Sequence, residues 1–202
     1  ITAQLVIAGQ DHTLNLAQPS QALLHNALAV LACVQALNLS IEKALQALAT
    51  YLPVAGRGRA VERPWQGGQV TVIDDSYNAS PASMTASLAT ARALAGSRRL
   101  LVVWGDMLEL GTSEVQEHQA LAGPLQQANP AHVLLSGPLM VHLAQALPAT
   151  VSVYHAMETT AITRHLFSVL QSGDVVLIKG SAGSHMGKVA AALLEATAEE
   201  KP

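Results

Sequence analysis

The chain has little of several residue types that mark particular classes of protein. Cys33 is its only cysteine, which excludes a disulfide framework within the chain and fits a reducing compartment. Cys33 lies in an apolar run, so we expect a buried thiol. Aromatic residues make up only 3% of the sequence, and a core must therefore be built from Ala, Leu and Val. The net charge is −3. The sequence has no basic run, so it gives no indication of a nucleic-acid-binding surface.

Several functional motifs are also absent. No apolar run is long enough for a membrane span and no signal peptide is visible, so we expect a cytoplasmic chain without membrane contact. The eight histidines show no HExxH spacing, and we predict no metal site. There is no GxSxG elbow, and no GxGxxG follows the first strand of the predicted sheet. The first residue is Ile1 rather than Met, which we interpret as a sign of an excised fragment.

The N-terminal quarter predicts two strands followed by two helices. Residues 1–18 favour a pair of short strands with a turn at Gly9-Gln10-Asp11. From Pro19 to Leu37 the apolar residues follow a helical period, on a stripe so wide that much of this helix should be buried. Ser40 is predicted to cap the next helix. The stretch 53–64 contains two glycines and three arginines between prolines, and it predicts a linker at a domain boundary.

The rest of the chain alternates short apolar strands with helices. This order predicts an α/β fold with a mostly parallel, doubly wound, Rossmann-like sheet covered on both faces. Ligands bind such sheets at the carboxyl ends of the strands. The predicted strands are 70–73, 100–104, 132–135, 151–154 and 175–178, and the predicted helices are 81–94, 113–128, 138–147, 158–170 and 186–198.

The first polar cluster is DDSYNASP at residues 74–81, directly after a predicted strand. Two adjacent carboxylates at a strand end must be solvated, paired or bound to a ligand. One interpretation is structural: Ser80 caps the helix that starts at Pro81, and Asp74 and Asp75 make hydrogen bonds in the turn. The other is a ligand site, and the two are compatible.

Two further clusters follow later strands. The loop GDMLELG at residues 105–111 places two acids at a strand end, with His118 in the following helix. The loop KGSAGSHM at residues 179–186 offers backbone N–H groups to an anion. It is not an ATP-phosphate loop, because Ala182 stands where the first glycine is required and Val189 follows Lys188. Its lysine either binds a carboxylate or is merely solvated.

The arginines of the linker, Arg57 and Arg59, form the fourth candidate. Glycines beside them allow unusual backbone angles. They either bind a ligand or are solvated linker charges.

Taken together, these segments resemble the Mur ligases, over most of the chain. The motifs that carry the resemblance are HNALA at 25–29, GR at 56–57, DDSYNA at 74–79, GDMLELG at 105–111 with His118, and KGS at 179–181. The tyrosine–asparagine pair and the GDMLELG loop point to the branch of the family that adds D-alanyl-D-alanine. The resemblance implies that residues 1–56 are the C-terminal tail of the central ATPase domain, and that residues 57–202 are the Rossmann-like C-terminal domain.

The resemblance also implies a reaction and its partners. Mur ligases use ATP to form an acyl phosphate on a UDP-muramoyl peptide, and an amine then displaces the phosphate. Here the substrates would be UDP-N-acetylmuramoyl-tripeptide and D-alanyl-D-alanine, in peptidoglycan precursor synthesis and thus cell wall biogenesis. ATP and Mg²⁺ would be held mainly by a part of the polypeptide upstream of Ile1, so the 202 residues alone are predicted to be inactive. We expect a monomer.

The residues implied in ATP binding are Asn26, Arg57 and Asp75. The residues implied in substrate binding are Tyr77, Asn78, Lys179 and Ser181, and no catalytic residue is assigned in this chain.

Four positions depart from the family pattern, namely Ala22, Ser80, Ala182 and Gly187. They leave alternatives open: a sister Mur ligase, a folylpolyglutamate ligase, or a Rossmann-like binding module without catalysis.

Overall fold

A computed structural model describes residues 1–18 and 20–196. The chain divides into two compact units, of which the first is Ile1–Pro53 and the second begins at Val54. Each unit is described by itself below. Within the described residues, every helix is too short or too polar to serve as a bilayer-spanning segment.

The first unit is a β-hairpin followed by two helices. Strands β1 (Thr2–Ile7) and β2 (Gln10–Asn15) pair antiparallel. The turn between them lies at Ala8-Gly9, one residue earlier than predicted, and both residues have positive φ, as in the type I′ turns that suit two-residue hairpins.

Two helices complete this unit. Helix α1 (Gln21–Ala36) follows the hairpin, and helix α2 (Ile41–Thr50) is capped by Ser40, as predicted. The small core consists of Leu14, Leu16, Ala27 and Leu31.

Helix α1 is much less buried than its apolar stripe predicts. Only Ala27 and Leu31 of this helix are buried, while Leu28 and Val30 are exposed. The prediction of a buried Cys33 is also wrong, because its side chain is exposed. The hairpin and α2 cover only a narrow side of α1. The apolar stripe is wider than this covered side, so part of the stripe is exposed.

The second unit contains a six-stranded sheet in the order β3-β4-β8-β5-β6-β7. Five strands run parallel, and only β3 is antiparallel to its neighbour β4. This arrangement confirms the predicted α/β class and the mostly parallel sheet. The strands are β3 (Arg59–Trp65), β4 (Gly68–Asp75), β5 (Leu100–Gly105), β6 (His132–Ser136), β7 (Val153–Ala156) and β8 (Val175–Lys179).

Strand β3 corrects the interpretation of residues 53–64 as a linker. From Arg59 onward these residues are an edge strand that pairs with β4 from Gly68 to Asp74. Pro64 has no N–H to donate to a neighbouring strand. The edge position tolerates it, because an edge strand has a partner on one side only. The sequence concealed the strand because three of its seven residues are charged and it has no continuous apolar run.

Helices cover both faces of the sheet. One face carries α3, α5 and α6, and the other carries α7 and α8. Side chains along each central strand alternate between the two cores, so that Val102 faces the first core and Val103 the second. The helices are α3 (Pro81–Ala95), α4 (Glu114–Ala120), α5 (Ala122–Ala128), α6 (Met140–Ala146), α7 (Thr159–Val169) and α8 (Met186–Glu195).

Several predicted elements of the second unit have different bounds in the structure. The single helix predicted for 113–128 is two helices, because Pro124 has no N–H to continue the hydrogen-bond ladder. Strand β7 starts two residues later than predicted, after a turn in which the N–H of Val151 bonds to Pro148. The predicted last helix extends to residue 198, and its final two residues lie outside the described part of the chain.

Candidate functional site

The candidate site lies at the carboxyl edge of the sheet, where β4, β8 and β5 are neighbours. These strands end at Asp75, Lys179 and Gly105. The chain enters α3 on one face of the sheet after β4, but enters α8 on the other face after β8. A crevice for ligands forms at such a reversal in doubly wound sheets.

Asp74 organises the loop that follows β4. Its Oδ2 accepts a hydrogen bond from the N–H of Gly56 at 2.9 Å. Its Oδ1 accepts hydrogen bonds from the N–H and the hydroxyl of Ser76, at 3.2 and 2.6 Å. Both oxygens are therefore used within the protein, which confirms the structural interpretation of Asp74.

Asp75 has a different partner. Its Oδ2 accepts a hydrogen bond from the ammonium of Lys179 at 2.8 Å. The same ammonium donates to the carbonyl of Asn78 at 2.9 Å. The Lys179 side chain is 3% exposed, whereas that of Asp75 is 20% exposed. Removing one member of such a buried pair costs about 3–5 kcal/mol, because the other charge stays desolvated.

One oxygen of Asp75 remains available. Among the described residues, no group donates a hydrogen bond to its Oδ1. A Cβ added at Gly58 would lie 3.7 Å from this oxygen. A partly exposed carboxylate oxygen in this position can accept a hydroxyl group of a ligand.

Backbone hydrogen bonds join the residues before β3 to the end of β4 and the loop that follows it. The N–H of Gly58 donates to the carbonyl of Asp74 at 2.8 Å, and the N–H of Tyr77 donates to the carbonyl of Gly56 at 3.0 Å. Both glycines have positive φ, and a Cβ on Gly56 would lie 3.3 Å from that of Tyr77. Both the backbone angle and the space favour glycine at position 56, whereas at position 58 the backbone angle alone does.

Arg57 is held between these two glycines and stacks on an aromatic ring. Its guanidinium carbon lies 3.7 Å from the centroid of the Tyr77 ring, within the range of a cation–π interaction. Both side chains are exposed, so the cation is oriented while it still faces solvent. Arg59 is exposed in β3 opposite Asp74.

The loops after β5 and β8 are joined by hydrogen bonds. The N–H of Ser181 donates to the carbonyl of Asp106 at 3.0 Å, and the N–H of Leu108 donates to the Ser181 hydroxyl oxygen at 2.9 Å. Ser181 is 4% exposed. Its hydroxyl oxygen therefore has a structural partner, while its proton remains free to donate.

His118 fixes the other side of the 105–111 loop. Its Nε2 accepts a hydrogen bond from the N–H of Met107 at 3.0 Å, and its Nδ1 lies 2.6 Å from the carbonyl of Glu114. These partners require a neutral imidazole with the proton on Nδ1. The side chain is fully buried.

Asp106 is a structural residue of the same loop. It is 4% exposed, and its Oδ1 accepts a hydrogen bond from the N–H of Met140 at 2.9 Å. Burial raises the pKa of this carboxyl, while hydrogen bonds from the N–H groups of Leu139 and Met140 act in the opposite direction. The other acid, Glu109, is exposed and has positive φ.

The predicted site residues thus fall into two groups. Asn26 is exposed on α1 in the first unit. The other six belong to the second unit and lie at strand ends or in loops at the carboxyl edge of its sheet. They are Arg57, Asp75, Tyr77, Asn78, Lys179 and Ser181.

The sequence did not reveal the pairing of Asp75 with Lys179. The two residues are 104 positions apart, and only the strand order makes β4 and β8 neighbours. Both residues end their strands, opposite each other in the register. That shared position is the signal, and it becomes visible once the strand order is known.

The donor set offers no metal centre of its own. Within the described part of the chain, no three His, Cys, Asp or Glu side chains gather closely enough to hold a metal ion. No role with Mg²⁺ is therefore assigned to these residues.

The fold and the site define a class of protein. A mostly parallel, doubly wound α/β sheet with glycine-rich and charged loops at its carboxyl edge is a Rossmann-like ligand-binding domain. Residues 56–182 match the family described as "Mur ligase, glutamate ligase domain". The chain therefore belongs to the Mur ligase family.

Individual relatives are similar over most of this chain. The UDP-N-acetylmuramoyl-tripeptide–D-alanyl-D-alanine ligase of Mycobacterium tuberculosis (strain CDC 1551 / Oshkosh) is 31% identical, over 84% of this chain and 37% of the relative. A crystal structure of MurF from Acinetobacter baumannii is 26% identical, with a TM-score of 0.83 over 96% of this chain and 42% of that chain.

A MurF ligase from Thermotoga maritima, solved in complex with ADP, has the same fold. Its TM-score is 0.77 at 24% identity, over 93% of this chain and 42% of that chain. The chain therefore spans less than half the length of these relatives.

Proposed function

We propose that this chain is the C-terminal part of an ATP-dependent ligase that joins D-alanyl-D-alanine to UDP-N-acetylmuramoyl-tripeptide. The observation that carries the proposal is the gathering of Arg57, Asp75 and Tyr77 at one edge of the sheet, in a chain that belongs to the Mur ligases. The names of its relatives support the particular substrates.

Each candidate residue has a proposed role that suits its surroundings. The free Oδ1 of Asp75 accepts the ribose hydroxyls of ATP, and the exposed guanidinium of Arg57 approaches the phosphates. Tyr77, Asn78 and Ser181 contact the peptide substrates, and Asn26 of the first unit contacts the adenine. A ligase of the same fold was solved in complex with ADP, which supports a nucleotide as a ligand of the whole enzyme.

The proposed reaction divides its work between two parts of the polypeptide. Negative charge develops on the transferred phosphoryl group, so a phosphate loop, Mg²⁺ and cations must surround it. This chain supplies Arg57 but contains no phosphate-loop motif. We therefore propose that residues 1–56 belong to a central ATPase domain, that residues 57–202 form the domain that completes the site, and that the reaction takes place in the cytoplasm on a monomeric enzyme.

A ligation assay with a polypeptide that joins these residues to their phosphate-loop domain tests the proposal. Formation of amide product and ADP from tripeptide, D-alanyl-D-alanine and ATP is the expected result. A panel of muramoyl peptides and amino acids, with folylglutamate included, distinguishes a sister ligase or a folylpolyglutamate ligase. Absence of ATP-dependent ligation with the whole panel would instead support a binding module. The 202 residues alone should neither hydrolyse ATP nor ligate.

Substitutions at the nucleotide residues give the sharper test. In the active polypeptide, Arg57→Ala and Asp75→Asn should each lower kcat/KM for ATP about 10-fold or more, since each removes a charged contact worth at least 1.4 kcal/mol. Arg164→Ala, at an exposed arginine of α7, is the matched control and should leave kcat/KM unchanged. If all three variants behaved like the wild type, the assignment of Arg57 and Asp75 would be wrong.

A further inference from the structure

The contacts of Lys179 do not suit a residue that binds the peptide substrate directly. Its side chain is 3% exposed, and its ammonium is already committed to the Asp75 carboxylate and the Asn78 carbonyl. An ammonium has three N–H donors, so two of the three are used inside the protein.

The register of the sheet places this lysine beneath the loop after β4. Asp75 and Lys179 are opposite each other at the ends of β4 and β8, and Trp104 of β5 takes the corresponding position on the other side of Lys179. Trp104 is fully buried. Lys179 therefore stands between a buried aromatic residue and a charged partner, where its charge is compensated mainly by Asp75.

The two acceptors of Lys179 lie at different points of one loop. Asp75 begins the loop and Asn78 lies three residues later, with Tyr77 between them stacked under Arg57. One ammonium thus fixes both the direction of the Asp75 carboxylate and the path of the backbone that carries Tyr77. It leaves the second oxygen of Asp75 without a protein donor among the described residues.

We propose that Lys179 is a positioning residue for the nucleotide. It holds Asp75 by one oxygen, so that the other oxygen faces the ribose hydroxyls, and it acts on ATP only through this carboxylate and the 75–78 loop. The inference rests on the proposed function, because it takes Asp75 as a nucleotide residue. It replaces the prediction that Lys179 binds peptide substrate.

The test compares four forms of the active polypeptide: wild type, Lys179→Met, Asp75→Asn and the double variant. Lys179→Met should raise KM for ATP about 10-fold or more and change KM for D-alanyl-D-alanine and for the tripeptide less than about twofold. The double variant should match Asp75→Asn in KM for ATP within about twofold, because coupled residues are not additive. A residue with only a general structural role would not change KM for ATP while leaving KM for the other two substrates nearly unchanged.

Controls keep the result interpretable. Lys188→Met removes an exposed lysine of α8 and should leave every KM unchanged. Thermal unfolding of each variant is measured alongside. If Lys179→Met does not fold, Lys179→Arg is used instead; it keeps the positive charge but cannot place one nitrogen between both acceptors, and it should again raise KM for ATP alone.

Two kinetic results would overturn the inference. One is a raised KM for D-alanyl-D-alanine or the tripeptide with KM for ATP unchanged, which would mean direct contact with that substrate. The other is additivity of the two substitutions in KM for ATP, which would mean independent roles.

Isothermal titration with ADP separates this inference from the proposed function. A wild type that binds ADP but does not ligate would refute the function, while weaker ADP binding by Lys179→Met would still support the role of Lys179.

Discussion

Asp74 and Asp75 are adjacent in sequence and serve different purposes, because neighbouring residues of a strand point to opposite faces of the sheet. Asp74 turns towards the segment before β3 and binds Gly56 and Ser76 through both oxygens. Asp75 turns to the face where Lys179 ends its own strand and retains one free oxygen. The pair is therefore divided into one structural carboxylate and one that can serve a ligand.

Asp106 shows that an acid beside a candidate site need not take part in its chemistry. Its carboxylate is nearly inaccessible and binds the backbone at the start of α6. A Cβ on Gly137 would lie 2.5 Å from its Oδ2, so the β6–α6 loop packs directly on this carboxyl group. Ionisation in such a place is costly, which is why burial raises the pKa of Asp106.

The raised pKa of Asp106 predicts a specific pH dependence of stability. The folded state binds this proton more tightly than the unfolded state, so the contribution of Asp106 is greatest below its ordinary value of 3.8 and is lost as pH rises through the folded pKa. Relative to Asp106→Asn, the wild-type free energy of unfolding should fall with rising pH by up to about 1.4 kcal/mol per pH unit in that window. Urea unfolding from pH 3.5 upward, in steps of about half a unit, measures the difference; a constant difference would contradict the prediction.

At the scale of elements, hydrogen bonds hold the 105–111 loop to two other parts of the second unit. Three backbone groups fix it, through Ser181 of the β8 loop and through His118 of α4. His118 is also bound to the carbonyl of Glu114 one turn earlier in its own helix. The imidazole therefore connects α4 to the loop at the end of β5 and holds that loop in place.

Substitution of His118 should loosen this loop. In His118→Ala, the buried N–H of Met107 loses its acceptor, which costs about 1–3 kcal/mol in addition to the cavity that is left. Amide hydrogen exchange should become faster at Met107 and Leu108, and urea unfolding should show the lower stability. His118→Gln offers an oxygen to Met107 and should restore part of the protection.

His142 provides a matched control for this experiment. It is half-buried on α6, and its side chain makes no hydrogen bond with the described residues. His142→Ala should leave exchange at Met107 unchanged. Unchanged protection of Met107 in His118→Ala as well would show that the loop does not depend on the imidazole.

Edge strand β3 illustrates where reasoning from local sequence fails. Its residues Arg59, Glu62 and Arg63 are charged, and Pro64 has no N–H, so the segment lacks the apolar run of the central strands. Its pairing energy comes from β4, with which it pairs from Gly68 to Asp74. A strand that depends on its neighbour more than on its own propensity cannot be read from its own residues.

At the scale of the whole chain, the two units differ greatly in their cores. The second unit has apolar clusters on both faces of its sheet, whereas among the described residues the first unit has a buried cluster of four, Leu14, Leu16, Ala27 and Leu31. Stability rises with the share of surface that a unit buries. The second unit should therefore be the one that persists after cleavage between them.

Limited proteolysis with chymotrypsin tests this expectation. Tyr51 and Leu52 are each about half exposed and precede Val54 in a stretch without helix or strand, where cleavage is favoured. The first cut should fall after Tyr51, because the bond between Leu52 and Pro53 resists chymotrypsin, and should leave a resistant fragment that starts at Leu52. Tyr77 is more exposed, but Asp74 and Lys179 hold its loop, so cleavage at Tyr77 should be slower. A chain with both Tyr51→Ser and Leu52→Ser should resist the first cut, and early cleavage within the sheet would contradict the prediction.

Much of the second unit was predictable because its signals are local. Apolar strands such as β5 and β8 are buried on both faces and stand out as continuous runs. Ser80 and Pro81 predicted the start of α3, and the structure confirms a capping box there, with Ser80 binding Ser83. The first unit was less predictable. The apolar stripe of α1 predicts a helix, but it does not predict how much of that helix other elements will bury.

The sequence by itself determined the class of fold, the family and the loops on which charged residues stand, because strand and helix periods and short motifs are properties of neighbouring residues. The tertiary structure alone decided which charges meet. Strand order brings Lys179 to Asp75 across 104 residues, and burial turns Asp106 and His118 into structural groups. Pairing and desolvation depend on distance in space, and distance in space follows from the order of strands rather than from the order of residues.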